Sequence, residues 1–217
     1  MKLYHFVKRI VDIIVSLTGI LLLSFFFIFA ALWIKACSKG PVVYTHERIG
    51  KGKKPFAVYK FRSMVVGARN MQKKGLPDSK LITPAGHFLR RTFLDEMPQL
   101  FNILKGEMSL IGPRPIDAEV FKKFSKQDKK GMEKIVELKP GISSLSSVVF
   151  KIPKDKWGRL ESRFPGITKV KNNDSIRIFL DYYYIENESF LLDSWIFIYS
   201  VFLSLKNLFF KPNLDYY

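Results

Sequence analysis

Asp95 and Glu96 are adjacent carboxylates standing just before an apolar, helix-patterned run, and their chemistry has two readings. Acids there cap helices and favour the positive end of the helix dipole, a purely structural role. A carboxylate at a helix N-terminus also stays ionised and can act as nucleophile or metal ligand. Two neighbouring carboxylates can hold Mg²⁺ through one or two oxygens beside a phosphate. Arg114 lies between Pro113 and Pro115, just after Gly112. Such a turn either leaves a surface arginine or fixes a guanidinium fork that pairs two phosphate oxygens. Arg90 and Arg91 add positive charge upstream of the acids. Lys60 and Arg62 are two apart in a strand-like run, so they share a face and can address one anion. They equally fit a solvated basic hairpin near anionic lipid.

These groups need supports. Met97, Leu100, Phe101 and Leu104 follow the i, i+3, i+4, i+7 spacing of an amphipathic helix, with Pro98 in its first turn and Gly106 as its stop. Asp95 and Glu96 therefore sit at or just before that helix. Within the basic tract 41–75, VVYTHERIG and PFAVYKFRSM read as two strands around Gly50-Lys51-Gly52. Residues 76–91 read as a turn-rich link, 117–139 as helix, KPGISS as a turn, and 150–177 as a loop or short helix. From Phe190 an aromatic run bounded by Asp193 and Lys206 is too short to span comfortably and suits a helix lying in the membrane interface.

The chain has 217 residues, enough for one domain with a real core plus a membrane element. Its 36 Lys and Arg outnumber 19 Asp and Glu, which points to a polyanionic partner: nucleic acid, an anionic membrane surface or a phosphorylated substrate. A single cysteine, Cys37, excludes an internal disulfide, and three scattered histidines give no zinc spacing.

Ile10 to Ile34 is long and apolar enough to cross a hydrocarbon core of roughly 30 Å. The run is too long for a signal peptide, and Trp33-Ile34-Lys35 is a poor cleavage site. Lys2, Lys8 and Arg9 precede it; Lys35, Lys39, Arg48 and Lys51 follow it. Basic flanks favour the cytoplasm, and a helix that folds back satisfies both. Ser16, Thr18, Gly19 and Ser24 can satisfy a broken backbone ladder. Asp12 is expected at the interface beside Lys8 or Arg9.

KFRSM, LRRTFLDEMPQLFNILKGEMSLIGPRP, KPGI and DYYYIENESFLLDSWI, in this order after KRIVDIIVSLTGILLLS, resemble the bacterial sugar transferase family, the monotopic phosphoglycosyl transferases. The resemblance runs from about Lys8 to Leu205. It implies a helix-rich α+β fold: a re-entrant membrane helix over residues 1–36, then a cytoplasmic catalytic domain over 37–217 with an interfacial helix at about 190–210. It implies transfer of sugar 1-phosphate from a UDP-sugar to undecaprenyl phosphate, with release of UMP, at the cytoplasmic face of a bacterial plasma membrane. Asp95 matches the family's nucleophile, which forms a covalent phosphosugar intermediate, and Glu96 its acidic partner. Mg²⁺ is the implied cofactor, held by Asp95 and Glu96. Lys60, Arg62, Arg90, Pro113, Arg114 and Pro115 match positions tied to phosphate or nucleotide contacts. Membrane lipid is an expected partner, nucleic acid is not, and a homodimer is left open. Two departures stand out: Ser24-Phe25 replaces the family's Ser-Pro at the helix break, and KPGISSLSS replaces KPGITG. The sugar is therefore not carried over. A membrane-tethered nucleic-acid binder leaves the acids at 95–96 unexplained, and an inactive scaffold does not need them.

Overall fold

The computed structural model describes residues 2–152, 157–170 and 172–209. Helices dominate, with two small two-stranded sheets, so the fold is α+β and helix-rich. Helix α1 (Lys2–Leu22) and helix α2 (Ser24–Cys37) meet at Leu23 with a bend of 61°. The chain turns one residue before the Ser24-Phe25 position, without a proline. Among the described residues no single helix is long and apolar enough to cross a membrane; the bent pair meets that length and composition only together.

Both ends of the pair are tied to the rest of the chain. Lys8 bonds the Tyr184 hydroxyl at 2.8 Å and pairs with Asp193. Arg9 donates to the carbonyls of Ile103 and Leu104 at 2.6 and 3.1 Å. Asp12 lies near Lys8 and Arg9, but it is 3% exposed and accepts from Ser109 Oγ (3.1 Å) and Leu110 N (2.9 Å). A carboxylate in an apolar helix is retained because backbone and hydroxyl donors compensate its burial.

Strands β1 (Val43–Ile49) and β2 (Pro55–Phe61) form the expected antiparallel hairpin, with Tyr44 opposite Lys60 and Arg48 opposite Phe56. Phe56 and Val58 pack with Leu100, Ile103 and Met108, while Phe61 joins Ala30, Ile34, Ala85 and Leu89. The hairpin thus joins the layer of α2 and residues 85–89 to the core around Leu100 and Ile103. After the short helix α3 (Ala68–Lys73), residues 84–92 are not part of a link but helix α4 (Pro84–Thr92). Thr83 caps it, its Oγ accepting from Gly86 N at 3.0 Å, and Pro84 opens its first turn. That Thr-Pro start is a legible helix signal. Gly86 is required by close approach: a Cβ there would lie 1.8 Å from the Ser63 carbonyl oxygen.

Helix α5 (Gln99–Lys105) ends at Gly106, at φ 83°, as expected. Its buried face is Gln99, Leu100, Asn102 and Ile103, whereas Phe101 is exposed. Asn102 explains the rotation: its amide donates to the Ala57 carbonyl and the Glu107 carboxylate, each at 2.7 Å, and its oxygen accepts from Tyr59 N at 3.0 Å. Strand β3 (Ser109–Ile111) follows. Residues 117–139 form two helices, α6 (Ala118–Ser125) and α7 (Lys129–Ile135), restarted by Asp128 capping Gly131 N at 2.9 Å. KPGISS is more than a turn: Gly141–Ser143 is strand β4, parallel to β3. Helix α8 (Leu145–Val149), the short α9 (Gly158–Glu161), α10 (Asn173–Glu186) and α11 (Phe190–Phe209) complete the chain. Residues 153–156 and 171 of the expected 150–177 loop, and residue 210 of the expected C-terminal helix, lie outside the described residues. A second core of Leu145, Val148, Phe164, Ile176, Leu180, Tyr184 and Ile196 binds α8, α10 and α11.

Candidate active site

The acidic pair stands where α4 ends and the chain reverses. Phe93 takes a left-handed conformation, φ 59°, unusual for a residue with a side chain. Its amide accepts the role of C-cap by donating to the Arg90 carbonyl at 3.2 Å. Leu94–Glu96 then form one 3₁₀ turn before Pro98 and α5. Asp95 and Glu96 therefore precede the helix by a turn, between α4 and α5 in the chain.

Four cations surround the pair. Lys60, from β2, reaches Glu96 Oε1 at 2.5 Å. Arg90 comes from the last turn of α4 and acts on Asp95, while Arg114 acts on Glu96. Lys151, just after α8, acts on both acids and lies over the Phe93 ring, 3.5 Å from its centroid. Both acids keep some contact with solvent, Glu96 with 20% of its side chain, but lie deep enough for desolvation to dominate. Burial, reinforced by the Glu96 charge, raises Asp95 to about 7 against the pull of Lys60 and Arg90. Burial alone would raise Glu96 too, but Lys60, Arg114 and Lys151 more than offset it and hold that group at about 2. One carboxylate is thus locked as a salt bridge; its neighbour is poorly solvated and titrates near neutrality. Desolvation also lowers Lys151 to about 8, with Arg114 adding to the fall and both acids opposing it.

The Pro113-Arg114-Pro115 turn is built from behind. Arg177 donates to the Arg114 and Pro115 carbonyls at 2.9 and 2.8 Å, and Gly141 N donates to the Pro113 carbonyl at 2.8 Å. The Arg114 guanidinium donates to Ser147 Oγ at 2.9 Å, and Ser147 in turn pairs with Ser144 at 2.7 Å. Ser147, itself held by Ser144, therefore orients Arg114. Fully buried Asp181 sits behind the turn, 3.8 Å from Arg177 Nε and 3.4 Å from Arg114 N. Burial pushes Asp181 up to about 7, while Arg177 and Arg114 pull it down.

Lys60, Arg90, Asp95, Glu96, Arg114 and the two flanking prolines thus form one locality. Arg62 is not brought to the anion Lys60 addresses. It is 5% exposed and donates to the Ser38 and Lys39 carbonyls at 2.7 and 3.0 Å, fastening the end of α2. The strand ends at Phe61, so the two-residue periodicity that aligned Lys60 with Arg62 no longer applies. Sequence reasoning missed Lys151, Ser147, Arg177 and Asp181. Their only signal was polarity beside apolar helix positions, which assigns no partner.

Among the described residues no group of three or more His, Cys, Asp or Glu could hold a metal. Asp95 and Glu96 offer hard oxygens, with Glu96 Oε1 already occupied by Lys60. Such a donor set fits Mg²⁺, which commonly takes one or two carboxylates and completes its shell with water and phosphate oxygens.

The bacterial sugar transferase family profile matches residues 3–207. The chain belongs to the bacterial sugar transferase family. Among relatives of this chain, a UDP-N-acetylgalactosamine-undecaprenyl-phosphate N-acetylgalactosaminephosphotransferase of Aeromonas hydrophila is 35% identical over 88% of this chain and 42% of its own. An undecaprenyl-phosphate galactose phosphotransferase of Salmonella typhimurium is 38% identical over 66% of this chain and 33% of its own. A UDP-glucose:undecaprenyl-phosphate glucose-1-phosphate transferase of Klebsiella pneumoniae is 35% identical over 92% and 40%. The chain matches under half the length of each of these relatives.

Proposed function

We propose that this protein transfers sugar 1-phosphate from a UDP-sugar to undecaprenyl phosphate through a phosphosugar bound covalently to Asp95. The observation that carries the reading is the division of labour in the acidic pair: Glu96 is held by Lys60, while Asp95, desolvated and facing cations, is left for bond formation. The names of the relatives support the lipid acceptor and the sugar phosphate, and they differ in the sugar, so the sugar stays open here.

In the first step an Asp95 carboxylate oxygen attacks the sugar-linked phosphorus. The bond between that phosphorus and the bridging oxygen breaks, and the electron pair leaves with UMP. In the second step an oxygen of undecaprenyl phosphate attacks the same phosphorus. The acyl phosphate bond breaks, regenerating the Asp95 carboxylate and giving undecaprenyl-diphosphate-sugar. Each transition state spreads negative charge over phosphoryl oxygens, which preorganised cations stabilise strongly in a low-dielectric site. Arg114, fixed by Ser147 and the Arg177-bound turn, suits that task, and Arg90 and Lys151 flank it. Mg²⁺, when held by Asp95 and Glu96, would offset the charge of the diphosphate.

The membrane reading rests on exposed apolar surface. Leu22, Phe25, Leu32, Leu191, Ile198 and Phe202 on α1, α2 and α11 are each more than half exposed, with Phe25 at 84%. Patches of this extent mark membrane or partner contact. The start of α1 and the end of α2 are anchored to the same domain by Lys8, Arg9 and Arg62. This arrangement favours a pair that enters and leaves one leaflet, with the active site on the cytoplasmic side.

The test is incubation with a panel of labelled UDP-sugars, undecaprenyl phosphate and Mg²⁺. One sugar should give a lipid-linked product and UMP, and mass spectrometry should find the phosphosugar on Asp95. UMP release that persists undiminished in Asp95→Asn would remove this residue from the nucleophile role.

A further inference from the structure

A second basic site lies away from the acidic pair, at the foot of the membrane helix. A cavity of about 230 Å³ opens between the first turns of α1, the Gly50-Lys51-Gly52 hairpin turn, β3 and Lys139. The cations facing it are unevenly matched. Lys8 is committed to Asp193, and His5 lies 3.1 Å from Glu188. Arg9, Lys51 and Lys139 remain, against Asp12, whose carboxylate already accepts from Ser109 and Leu110. Arg9 is pinned by two carbonyls, which orient it without cancelling its charge. Among the described residues, neither the Lys51 nor the Lys139 ammonium makes a hydrogen bond or salt bridge. Burial holds the Lys139 ammonium below the ordinary lysine range; Arg9 and Lys51 push the same way, and Asp12 opposes them. Three clustered cations are held together here by the fold against the one carboxylate of Asp12.

The position adds a direction. The cavity borders the turns of α1 that carry exposed Leu3, Phe6 and Ile10. A membrane meeting those side chains brings its headgroup layer to the height of Arg9 and Lys139. We propose that this cavity is an anion site for a phosphate group, filled by the headgroup of an anionic phospholipid. The inference uses the membrane reading of α1 but none of the chemistry at Asp95. It gives the chain a lipid contact separate from any lipid it would use as substrate.

Full-length protein in neutral detergent micelles is titrated with phosphatidylglycerol, phosphatidylcholine or inorganic phosphate while Tm is followed, because a ligand that binds only the folded state raises it. Phosphatidylglycerol should raise Tm saturably and phosphatidylcholine should not. Each lysine removed should weaken the half-saturating concentration about fivefold, so Lys51→Gln/Lys139→Gln should lose most of the response. Lys73→Gln/Lys74→Gln, at the C-terminal end of α3, serves as a control of equal charge and should keep it. Asp95→Asn should also keep it, which separates this site from the catalytic reading. A matching, Lys139-dependent response to inorganic phosphate would make free phosphate a ligand too; its lack would assign the site to the lipid. A response that survives Lys51→Gln/Lys139→Gln, or falls equally in the α3 control, would overturn the proposal.

Discussion

Asp95 and Glu96 share an environment yet carry opposite shifts, and the cause is which of them Lys60 reaches. Asp95 ionises near pH 4 when unfolded and at about 7 when folded. The folded state therefore binds more protons between those values, and stability falls as pH rises through that window. Asp95→Asn should stabilise the fold above pH 7, by about 1 kcal/mol or more, as read by urea denaturation at pH 5 and 8. The same substitution should abolish transfer. On the proposed mechanism the attacking form is the carboxylate, so kcat/KM should rise with pH up to an apparent pKa near 7. A profile flat from pH 5 to 8 would contradict that assignment. Glu96 has the opposite sign: its contribution is present above pH 4 and is lost as pH falls toward 2. Lys151→Ala should lower kcat/KM about a hundredfold, with Lys151→Arg recovering part of it. Loss of transfer on chelation, restored by Mg²⁺, would support the metal role of the pair.

At the scale of elements, the catalytic groups depend on how α4, β4 and α10 are packed. Gly86 lets α4 lie against the Ser63 backbone. Gly86→Ala should cost about 2–3 kcal/mol or force α4 away, since backbone cannot yield as a side chain does. Circular dichroism melts would measure the cost, and a melt unchanged from the native protein would refute the packing. Arg177 from α10 holds the Arg114 turn and faces buried Asp181. Arg177→Ala strands that carboxylate, so destabilisation of about 3–5 kcal/mol is expected, as for a broken buried pair. Arg177→Met/Asp181→Leu should recover stability but not rate, because the turn loses its two donors. Rate recovered along with stability would mean that Arg177 acts through folding alone.

For the whole molecule, the bend at Leu23 and the anchoring of both ends of the helix pair are the basis of the proposed fold-back topology. In a Cys37→Ser background, Lys2→Cys and Lys39→Cys should react with an impermeant thiol reagent from the same side, that of the active site. Labelling from opposite sides would mean a true span. Arg62 is central here, because its bonds to Ser38 and Lys39 turn the end of α2 back onto the hairpin. Arg62→Ala should loosen that attachment and leave Lys60–Glu96 intact, which proteolysis between residues 38 and 43 would report.

Local rules carried much of this structure. Alternation and Gly50-Lys51-Gly52 predict the β1–β2 hairpin, Gly106 predicts the end of α5, and the Asp95-Glu96 and Pro-Arg-Pro patterns single out the catalytic candidates. These features depend on backbone conformations and near-neighbour spacings that each residue type dictates for itself. Other features depend on partners distant in the chain. Asp12 is buried because Ser109 and Leu110 meet it, and Arg62 serves α2 because the chain folds back beside it. Asn102 turns α5 by binding β2. Lys151, Ser147 and Arg177 enter the site only when α8 and α10 close over the Arg114 turn. The sequence by itself determined which groups could do the chemistry; tertiary packing decided which carboxylate is held and which is left to react, because desolvation and charge pairing are set by groups that meet only in the folded chain.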